Sequence, residues 1–551
     1  MADKIIIYQL LPRLYTNTCS TCVANGDIAV NGVGKMNNIT AARLKEIKSL
    51  GATHVWYTGV IEHATTVDHS DNGIMPCNAH VVKGKAGSPY AIRDYYDIDP
   101  NIAVNVDKRI DEWKRLVNRT HRAGLKVIMD FVPNHVAREY HSDVCPDGVQ
   151  DLGQGDDKGM FFSPSNNFYY ITGQHFAPNG VDLGNGDDAY FEFPARATGN
   201  DCFHASPGVN DWYETVKLNY GIDPWNGSRH FDPIPSTWHK ILDILMYWAA
   251  MGVDGFRCDM AHMVPVEFWH WAIGEVKKAH PGMVFIAEIY DTGLYYDYVH
   301  TGLFDYLYNK VTLYDTLFNI LKYNTSCHAI TSCWQHLEFM GGHMLNFLEN
   351  HDELRLASPQ WCGNALAGRP ALVVSAMLDR SPFLLYMGQE LGERATDAEG
   401  FSGQDGRTTI FDFWSVPSLR KWFKGKSSTR ALELREYYSR VLSLCNSEKA
   451  FSLGGMYDLM YVNPHLVHQY AFLRHHGNEI ILVVANFGGE EACISVNIPE
   501  HALLHMGVTS QECDGEELLH GSRQHVALSG NQAVEVTVGG HDAVALKLYT
   551  K

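Results

Sequence analysis

The sequence of 551 residues lacks the features that mark membrane and nucleic-acid-binding proteins. It holds no run of roughly 18 or more apolar residues, so we expect no membrane span. Lys and Arg together number 44 against 63 Asp and Glu, and the formal net charge of −19 would repel nucleic acids and anionic membranes. The apolar run Ile5–Leu10 begins almost at once, without the charged, apolar and small-residue regions of a signal peptide. We therefore expect a cytoplasmic protein, with a periplasmic or secreted location only if a signal was removed.

Closely spaced cysteines are also scarce. The 12 cysteines are scattered, and Cys19 and Cys22 form the only close pair. A redox or zinc site would need a second pair or a thioredoxin-like setting, and neither is evident. In a chain of this length we expect reduced thiols rather than a disulfide framework.

What the sequence does contain is an ordinary globular composition with many aromatic residues. Hydrophobic residues make up 45% of the chain and charged residues 19%, which is enough for a large core. The 12 Trp and 28 Tyr suit a site that stacks on neutral polar ligands such as sugars, and they suit a thick core equally well.

Short apolar runs alternate with segments of helical spacing over most of the chain. The predicted strands begin near residues 5, 54, 126, 254, 284, 304, 345 and 383, and helices such as 41–50, 106–123 and 431–444 follow them. Alternating strands and helices predict a parallel sheet covered on both faces. Eight such units predict an α/β fold with a closed (β/α)8 TIM barrel.

Two segments depart from this alternation. Residues 137–235 are rich in Gly, Asn and Asp, and an irregular stretch of this length predicts a subdomain inserted after strand three. From residue 451 short strands alternate with glycine turns and no helical period appears, which predicts a C-terminal all-β sandwich. The predicted domains are therefore a barrel of residues 1–136 and 236–450, an insert of 137–235 and a sandwich of 451–551.

The insert contains a near-repeat of acidic residues and glycines. Its two copies are Asp151–Asp157 and Asp182–Asp188. Clustered carboxylates with glycines suit a hard cation such as Ca²⁺. Solvated turns explain either copy as well, and we favour that interpretation.

Four predicted strand ends carry polar residues that a purely structural strand would not need. They are Asp130 with Asn134 and His135, Arg257 with Asp259, Glu288, and Asn350 with His351 and Asp352. A parallel barrel places its active site at the carboxyl ends of its strands. The four segments together therefore predict a site rich in carboxylates at the barrel mouth.

The spacing of these residues indicates their chemistry. Arg257 and Asp259 are two apart, so both point to one side of a strand, and the guanidinium would keep Asp259 ionised as a nucleophile. Glu288, with its apolar flank, is the better candidate for the acid. One ionised and one protonated carboxyl group about 5 Å apart is the arrangement of retaining glycoside hydrolysis. The alternative is a buried ion-pair network that closes the barrel.

These segments resemble the signature regions of the alpha-amylase family of glycoside hydrolases. The resemblance lies in Asp130–His135, Gly255–Asp259, Ala287–Glu288 and Asn350–Asp352, with Gly87–Tyr90 resembling a further family segment. It implies that Asp259 attacks the anomeric carbon, that Glu288 is the acid/base and that Asp352 stabilises the oxocarbenium-like state. It implies cleavage of α-1,4-glucosidic bonds in starch-derived or malto-oligosaccharides through a covalent intermediate.

The resemblance also implies roles for residues around the three carboxylates. Tyr90 would stack on the sugar, His135 and His351 would donate hydrogen bonds to it, and Arg257 would orient Asp259. Asp130 would be a structural support. Asn134 matches a calcium ligand in many members of the family, with a loop cap as the alternative, and no other cofactor is implied.

The sequence departs from many alpha-amylases after the nucleophile. His262 and Met263 stand where those enzymes have Lys-His, and we expect His262 to contact substrate. The stretch Asp259–Trp269 is more similar to cyclomaltodextrinases and maltosyltransferases. An α-glucan transglycosylase and a non-catalytic carbohydrate-binding relative therefore stay open as alternatives. The expected partner is an oligosaccharide, with neither nucleic acid nor membrane, and the oligomeric state is undetermined.

Overall fold

Eight parallel strands close into a barrel in the computed structural model, which describes residues 4–401, 403–530 and 532–550. The barrel strands are β1 Ile6–Leu10, β2 His54–Tyr57, β3 Lys126–Phe131, β4 Gly255–Cys258, β5 Val284–Ala287, β6 Tyr306–Tyr308, β7 Met344–Phe347 and β8 Phe383–Tyr386. Each strand pairs with the next along the chain, and β8 closes on β1. The predicted TIM barrel is confirmed.

Helices cover the outside of the barrel and leave the strands buried. The helices of the barrel region are Pro12–Tyr15, Ile28–Asn31, Ala41–Ser49, Arg109–Arg122, Ser236–Ala250, Val266–Ala279, Tyr295–His300, Asp315–Tyr323, His328–His336, Arg369–Met377, Pro417–Phe423, Thr429–Ser447 and Lys449–Ser452. In Arg109–Arg122 the residues Trp113, Leu116, Val117 and Thr120 are buried, a spacing that gives one apolar helix face. This helix begins three residues later than predicted, because Val106–Lys108 forms a 3₁₀ turn.

The segment between β3 and the helix Ser236–Ala250 contains two small antiparallel ribbons. His135–Ala137 pairs with Thr215–Lys217, and Tyr170–Ile171 pairs with Ala195–Arg196. The first ribbon begins four residues after β3 ends, so it joins the insert directly to the barrel mouth. The predicted boundary between residues 136 and 137 falls inside this ribbon.

The C-terminal region is built from antiparallel sheets. One sheet has six strands in the order Gly455–Asp458, Gln469–His476, Glu479–Asn486, Asp542–Tyr549, Gln511–Glu517 and Arg523–Leu528, and a second sheet pairs Ala492–Val496 with Val534–Val538. The predicted all-β C-terminal region is confirmed, and it also contains one short helix, Glu500–His505. A helix of six residues is too short to show a helical period in sequence.

The composition predicted no membrane span and reduced cysteines. Among the described residues, no helix is long and apolar enough to cross a membrane. All twelve cysteines are free thiols. The Cys22 sulfur lies 3.2 Å from Ser415 Oγ and 3.3 Å from Arg420 Nη1, rather than beside Cys19.

Candidate active site

The carboxyl ends of the strands surround a cavity of about 220 Å³ at the barrel mouth. Its lining residues come from the barrel loops and from the insert: Lys83, Ser88, Tyr90, His135, Trp212, Glu214, Thr215, Asp259, Met260, Glu288, Tyr290, Asp352, Ile410 and Phe411. Of the predicted site residues, Asp259, Glu288, Asp352, Tyr90 and His135 all line it. The predicted residues that line the cavity lie up to 262 positions apart in sequence, from Tyr90 to Asp352.

Arg257 lies at the base of this site and joins its carboxylates. Its side chain is fully buried, with Nη1 3.0 Å from Asp259 Oδ1 and Nη2 2.7 Å from Glu288 Oε2. Nη1 also lies 3.3 Å from Asp130 Oδ1, and Nε donates to Tyr308 Oη at 3.0 Å. The planar guanidinium therefore fixes the two central carboxyl groups next to each other.

The electrostatics of Asp259 differ from the prediction made from its arginine neighbour alone. Burial, followed by the nearby charge of Glu288, raises the pKa of Asp259 well above its usual value, and Arg257 lowers it only in part. The charge of Glu288 therefore opposes the ionisation of Asp259, and the guanidinium of Arg257 offsets this opposition in part. The expected pair of an ionised Asp259 and a protonated Glu288 stays a prediction.

Glu288 is held by two donors in addition to Arg257. The backbone N–H of Met260 donates to Oε2 at 2.9 Å, and the hydroxyl of Tyr290 donates to Oε1 at 2.6 Å. Met260 adopts a left-handed backbone conformation, with φ of 41°, which is uncommon for a residue with a side chain and is typical of functional sites. Both contacts restrict the carboxyl group of Glu288 to one orientation.

Asp352 faces the same cavity from the loop after β7. Its Oδ2 lies 2.9 Å from His351 Nε2, while Gln9 Nε2 lies 2.7 Å from His351 Nδ1. With the Gln9 amide donating to Nδ1, the proton on Nε2 faces both Asp352 and the Tyr90 hydroxyl, whose oxygen lies 2.5 Å away. Burial raises the pKa of Asp352. His351, followed by Arg257 and Arg407, lowers it by more than burial raises it, so the net shift is downward. Asp352 therefore stays ionised.

Aromatic and imidazole rings form the sides of the site. Tyr90 stacks on His351, with ring centroids 5.2 Å apart and an interplanar angle of 23°. His135 lies 5.2 Å from the Trp212 ring, and burial, with help from Lys217 and Lys83, lowers its pKa to about 3. His135 is therefore neutral at ordinary pH and has one N–H to donate.

The remaining predicted residues lie beside the cavity. Asp130 accepts a hydrogen bond from Trp56 Nε1 at 2.8 Å and contacts Arg257, so it supports the site from below. His262 lies on the turn Ala261–Met263 and is not among the residues that line the cavity. Its backbone oxygen accepts a hydrogen bond from the Tyr298 hydroxyl, and its contact with substrate stays a prediction.

Asn134 does not fit the calcium ligand that the family resemblance implies. Its Nδ2 donates to Gly199 O at 2.7 Å, and its Oδ1 accepts a hydrogen bond from the ammonium of Lys217. A cation would need that same oxygen. The expectation is wrong for the structure as it stands, because a lysine already fills the position.

The acidic residues of the two repeats make hydrogen bonds to nearby groups, and the second repeat contains the 3₁₀ turn Gly186–Asp188. Asp151 accepts hydrogen bonds from Tyr140 and the Ser142 backbone, and Asp182 caps its own turn through the N–H of Gly184. Within the described ranges, the one group of acidic side chains close enough to share a metal ion is Glu62, Asp94 and Asp97, outside both repeats.

Several lining residues were not predicted from the sequence. Tyr290 stands two positions after Glu288, and that alternation at a strand end was an available signal. Trp212 and the ion pair Lys83–Glu214, 2.7 Å long, come from irregular segments. Phe411 comes from the long loop after β8. Loops without periodicity give no sequence signal for which side chain reaches a site.

Comparison with known proteins supports the family resemblance. Residues 9–165 match the family model for the alpha amylase catalytic domain. Over these residues the chain is similar to the alpha-amylase catalytic domain. Asp259, Glu288 and Asp352 lie beyond the matched residues, so their roles depend on the geometry described above.

Similar sequences include glucan-acting enzymes of different names. Neopullulanase 2 of Thermoactinomyces vulgaris is 22% identical over 535 residues, which covers 96% of this chain and 76% of that protein. The cyclomaltodextrinase of Geobacillus thermopakistaniensis is also 22% identical, over 80% of this chain and 63% of its own length. An alpha-1,4-glucan:maltose-1-phosphate maltosyltransferase of Cereibacter sphaeroides is 40% identical over 57 residues, 10% of each chain.

Solved structures with the same fold span the whole chain. The maltogenic alpha-amylase AmyB of Thermotoga neapolitana aligns with a TM-score of 0.64 at 20% identity, covering 100% of this chain and 99% of that one. The alpha-amylase of Geobacillus thermoleovorans, solved with acarbose, aligns with a TM-score of 0.65 at 17% identity and the same coverage. At these identities the alignments show a common fold.

Proposed function

We propose that the protein is a retaining glycoside hydrolase that cleaves α-1,4-glucosidic bonds in malto-oligosaccharides or other starch-derived glucans. The observation that carries the proposal is the guanidinium of Arg257, which holds Asp259 and Glu288 side by side at a cavity that Asp352 also lines. Two carboxyl groups held by one guanidinium favour the short carboxyl separation of a retaining enzyme over the wider separation that an inverting enzyme needs for its water.

In the first step Asp259 attacks the anomeric carbon while Glu288 donates its proton to the departing glycosidic oxygen. The carbon–oxygen bond of the substrate breaks as the bond to Asp259 forms. With Glu288 protonated, its charge no longer opposes the ionisation of Asp259, and Arg257 stabilises the ionised nucleophile against the cost of burial. In the second step Glu288 takes a proton from water while the water oxygen bonds to the anomeric carbon and the bond from that carbon to Asp259 breaks, which releases the sugar.

Asp352 and the surrounding rings act on the same sugar. An ionised Asp352 stabilises the positive charge that develops on the ring and accepts hydrogen bonds from its hydroxyls. Tyr90 offers a ring face and His135 an N–H donor, while His351 acts through its contact with Asp352. Arg257 acts through Asp259 and Glu288 and is a positioning residue.

The substrate class follows from the cavity and from the relatives. A volume of about 220 Å³ is below the roughly 300–1,000 Å³ of sites for drug-sized ligands, and it suits one sugar ring at the reacting centre. Trp212, Tyr290 and Phe411 provide apolar surface at its edges. Relatives named neopullulanase and cyclomaltodextrinase support a short α-glucan as substrate.

The test is a product profile with stereochemistry. The protein is incubated with starch, maltotriose, a cyclodextrin, trehalose and maltose 1-phosphate, and the sugars are resolved. Proton NMR of the first turnovers should show α-anomers. β-Anomers as first products would contradict the retaining mechanism, and no product from any substrate would contradict glycosidase activity.

A second candidate is an α-glucan transglycosylase, favoured by the local 40% match to a maltosyltransferase and the loss of Lys-His after Asp259. Transfer uses the same covalent intermediate with a sugar or phosphate in place of water. Disproportionation of maltotriose without net gain of reducing ends would favour this alternative. Tight binding of maltotriose without turnover would favour the non-catalytic alternative.

A further inference from the structure

A buried lysine lies where the insert meets the barrel. Lys217 ends the strand Thr215–Lys217 and is 6% exposed. Its Nζ lies 2.6 Å from Asp201 Oδ1 and 3.2 Å from Met263 O, and it donates to Asn134 Oδ1. Three separate segments therefore meet at one ammonium: the loop after β3, a turn of the insert and the turn after β4.

The oxygens around Lys217 form a set that a metal ion would also accept. One carboxylate, one amide oxygen and one backbone carbonyl are the ligands that hard cations such as Ca²⁺ bind. The Asn134 oxygen is aimed at this point because its amide nitrogen donates to Gly199 O. Asp201 is held in a left-handed backbone conformation, with φ of 63°, which aspartate tolerates better than most residues.

We propose that the ammonium of Lys217 is the resident structural cation of this junction, and that its removal opens a site for Ca²⁺. An ammonium has three donors and no acceptor, and here it meets three acceptors. No ligand is left over for a metal while Lys217 is present. The native protein is therefore independent of divalent cations at this junction, although it keeps the oxygen cage.

The position of Lys217 connects the junction to the active site. Lys217 is the register partner of His135 across the ribbon, and its charge contributes to the low pKa of that histidine. The ammonium thus joins the insert to the barrel directly behind a side chain that lines the cavity.

Thermal unfolding in EDTA and in calcium chloride tests the proposal. The full chain should unfold at the same temperature in both. Lys217→Ala should unfold at a lower temperature in EDTA and recover by a few degrees in about 10 mM calcium, since one carboxylate makes only a weak site. Sodium chloride at matched ionic strength should give no recovery. Equilibrium dialysis with calcium alone should detect one more bound ion in the variant than in the native chain.

Two further variants and one control make the result decisive. Lys217→Met keeps most of the packing of the lysine stem and should respond to calcium in the same direction. Adding Asp201→Asn to Lys217→Ala removes the carboxylate and should abolish the recovery. Lys4→Ala removes another buried lysine, whose Nζ donates to the carbonyls of Ala376 and Asp379 at 2.5 and 2.8 Å, and should lose stability without calcium recovery.

Several outcomes would overturn the proposal. One is a native chain that loses stability in EDTA and regains it with calcium. Another is that neither Lys217 variant gains stability with calcium. That outcome counts against the proposal both when the variants are as stable as the native chain and when they are insoluble with and without calcium. If Lys217→Ala is soluble only with calcium, its soluble yield becomes the readout and supports the proposal. These measurements follow stability, so they are independent of whether the proposed hydrolase activity is correct.

Discussion

Two groups of buried carboxylates in this molecule are alike in composition and different in surroundings. Asp259 and Glu288 contact Arg257 at the barrel mouth, and Asp352 lines the same cavity. Glu62, Asp94 and Asp97 meet Arg93 and Arg109 beside the ribbon that Ile61–His63 forms with Ile92–Ile98, and their ligand atoms lie within 4.8 Å of one another. Burial raises the pKa of carboxyl groups in both.

The partners of the second group are structural. Arg109 Nε lies 2.8 Å from both oxygens of Asp97, and Asp94 Oδ2 accepts the backbone N–H of Asp143 at 2.8 Å. Glu62 is 1% exposed, its oxygens have no hydrogen-bond partner, and Arg93 Nε lies 3.4 Å away. None of these three carboxylates lines the cavity at the barrel mouth.

The comparison separates perturbed pKa values from access to a substrate, two properties that often occur together in active sites. A cluster of acids with perturbed pKa values is a property of burial and mutual repulsion, and both groups have it. A reaction also needs space for a substrate beside those acids, and only the first group faces the cavity. Perturbed titration alone is therefore a weak guide to function.

The largest expected effect separates the two groups by activity. Asp259→Asn should lower kcat/KM by roughly 10⁴-fold or more, because the nucleophile is lost. The unfolding temperature should change little, since one of two repelling groups becomes neutral. Glu62→Gln is the matched control and should keep full activity. Comparable losses in both variants would remove the distinction between the groups.

The next largest effect is the loss of stability and activity when the arginine of each carboxylate group is replaced. Arg257→Met and Arg109→Met each leave buried carboxylates without their partner, which should destabilise the fold by about 3–5 kcal/mol. Only Arg257→Met should also lower kcat/KM, by roughly 10²–10³-fold. Denaturant unfolding and initial rates measure the two quantities separately. Arg257→Lys, which keeps the charge but loses the planar fork, should be more stable than Arg257→Met and still impaired.

A smaller effect is expected for the hydroxyl that contacts Glu288. Tyr290→Phe removes a donor 2.6 Å from Oε1, and we expect kcat to fall about tenfold, or roughly 1.4 kcal/mol. Loss of a donor disfavours the ionised carboxylate, so the alkaline limb of the pH–rate profile should move to higher pH. A drop in kcat without any movement of that limb would indicate that Tyr290 contacts substrate instead.

Sequence patterns were enough for the barrel and for the carboxylates at its strand ends. Apolar runs alternating with helical segments gave each strand within a few residues, because burial on both faces imposes that composition. Arg257 and Asp259 share a side because alternate residues of a strand do. Their ion pair follows directly from position.

The parts of the site that sequence could not give depend on contacts between distant segments. Trp212 reaches the cavity from an irregular insert, and the turn of Met260 has a backbone conformation that methionine does not signal. The direction of the pKa shift of Asp259 depends on its burial and on Glu288 as well as on Arg257. Lys217 contradicts the calcium expectation for Asn134 because a residue 83 positions away occupies the same oxygen.

The smallest expected effect on activity, which should stay unchanged, belongs to a test of the second group by pH. Burial, with Asp94 and Asp97, raises the pKa of Glu62 from 4.5 to about 9. Between those values the folded chain binds a proton that the unfolded chain has released, so this group's contribution to stability falls as pH rises, by up to about 1.4 kcal/mol per pH unit. Glu62→Gln imitates the protonated form and cannot titrate. The variant should therefore match the native chain near pH 5 and exceed its unfolding free energy increasingly from pH 6 to 8. Equal slopes for the two chains would mean that Glu62 is ionised in the fold, with Arg93 as its counter-ion.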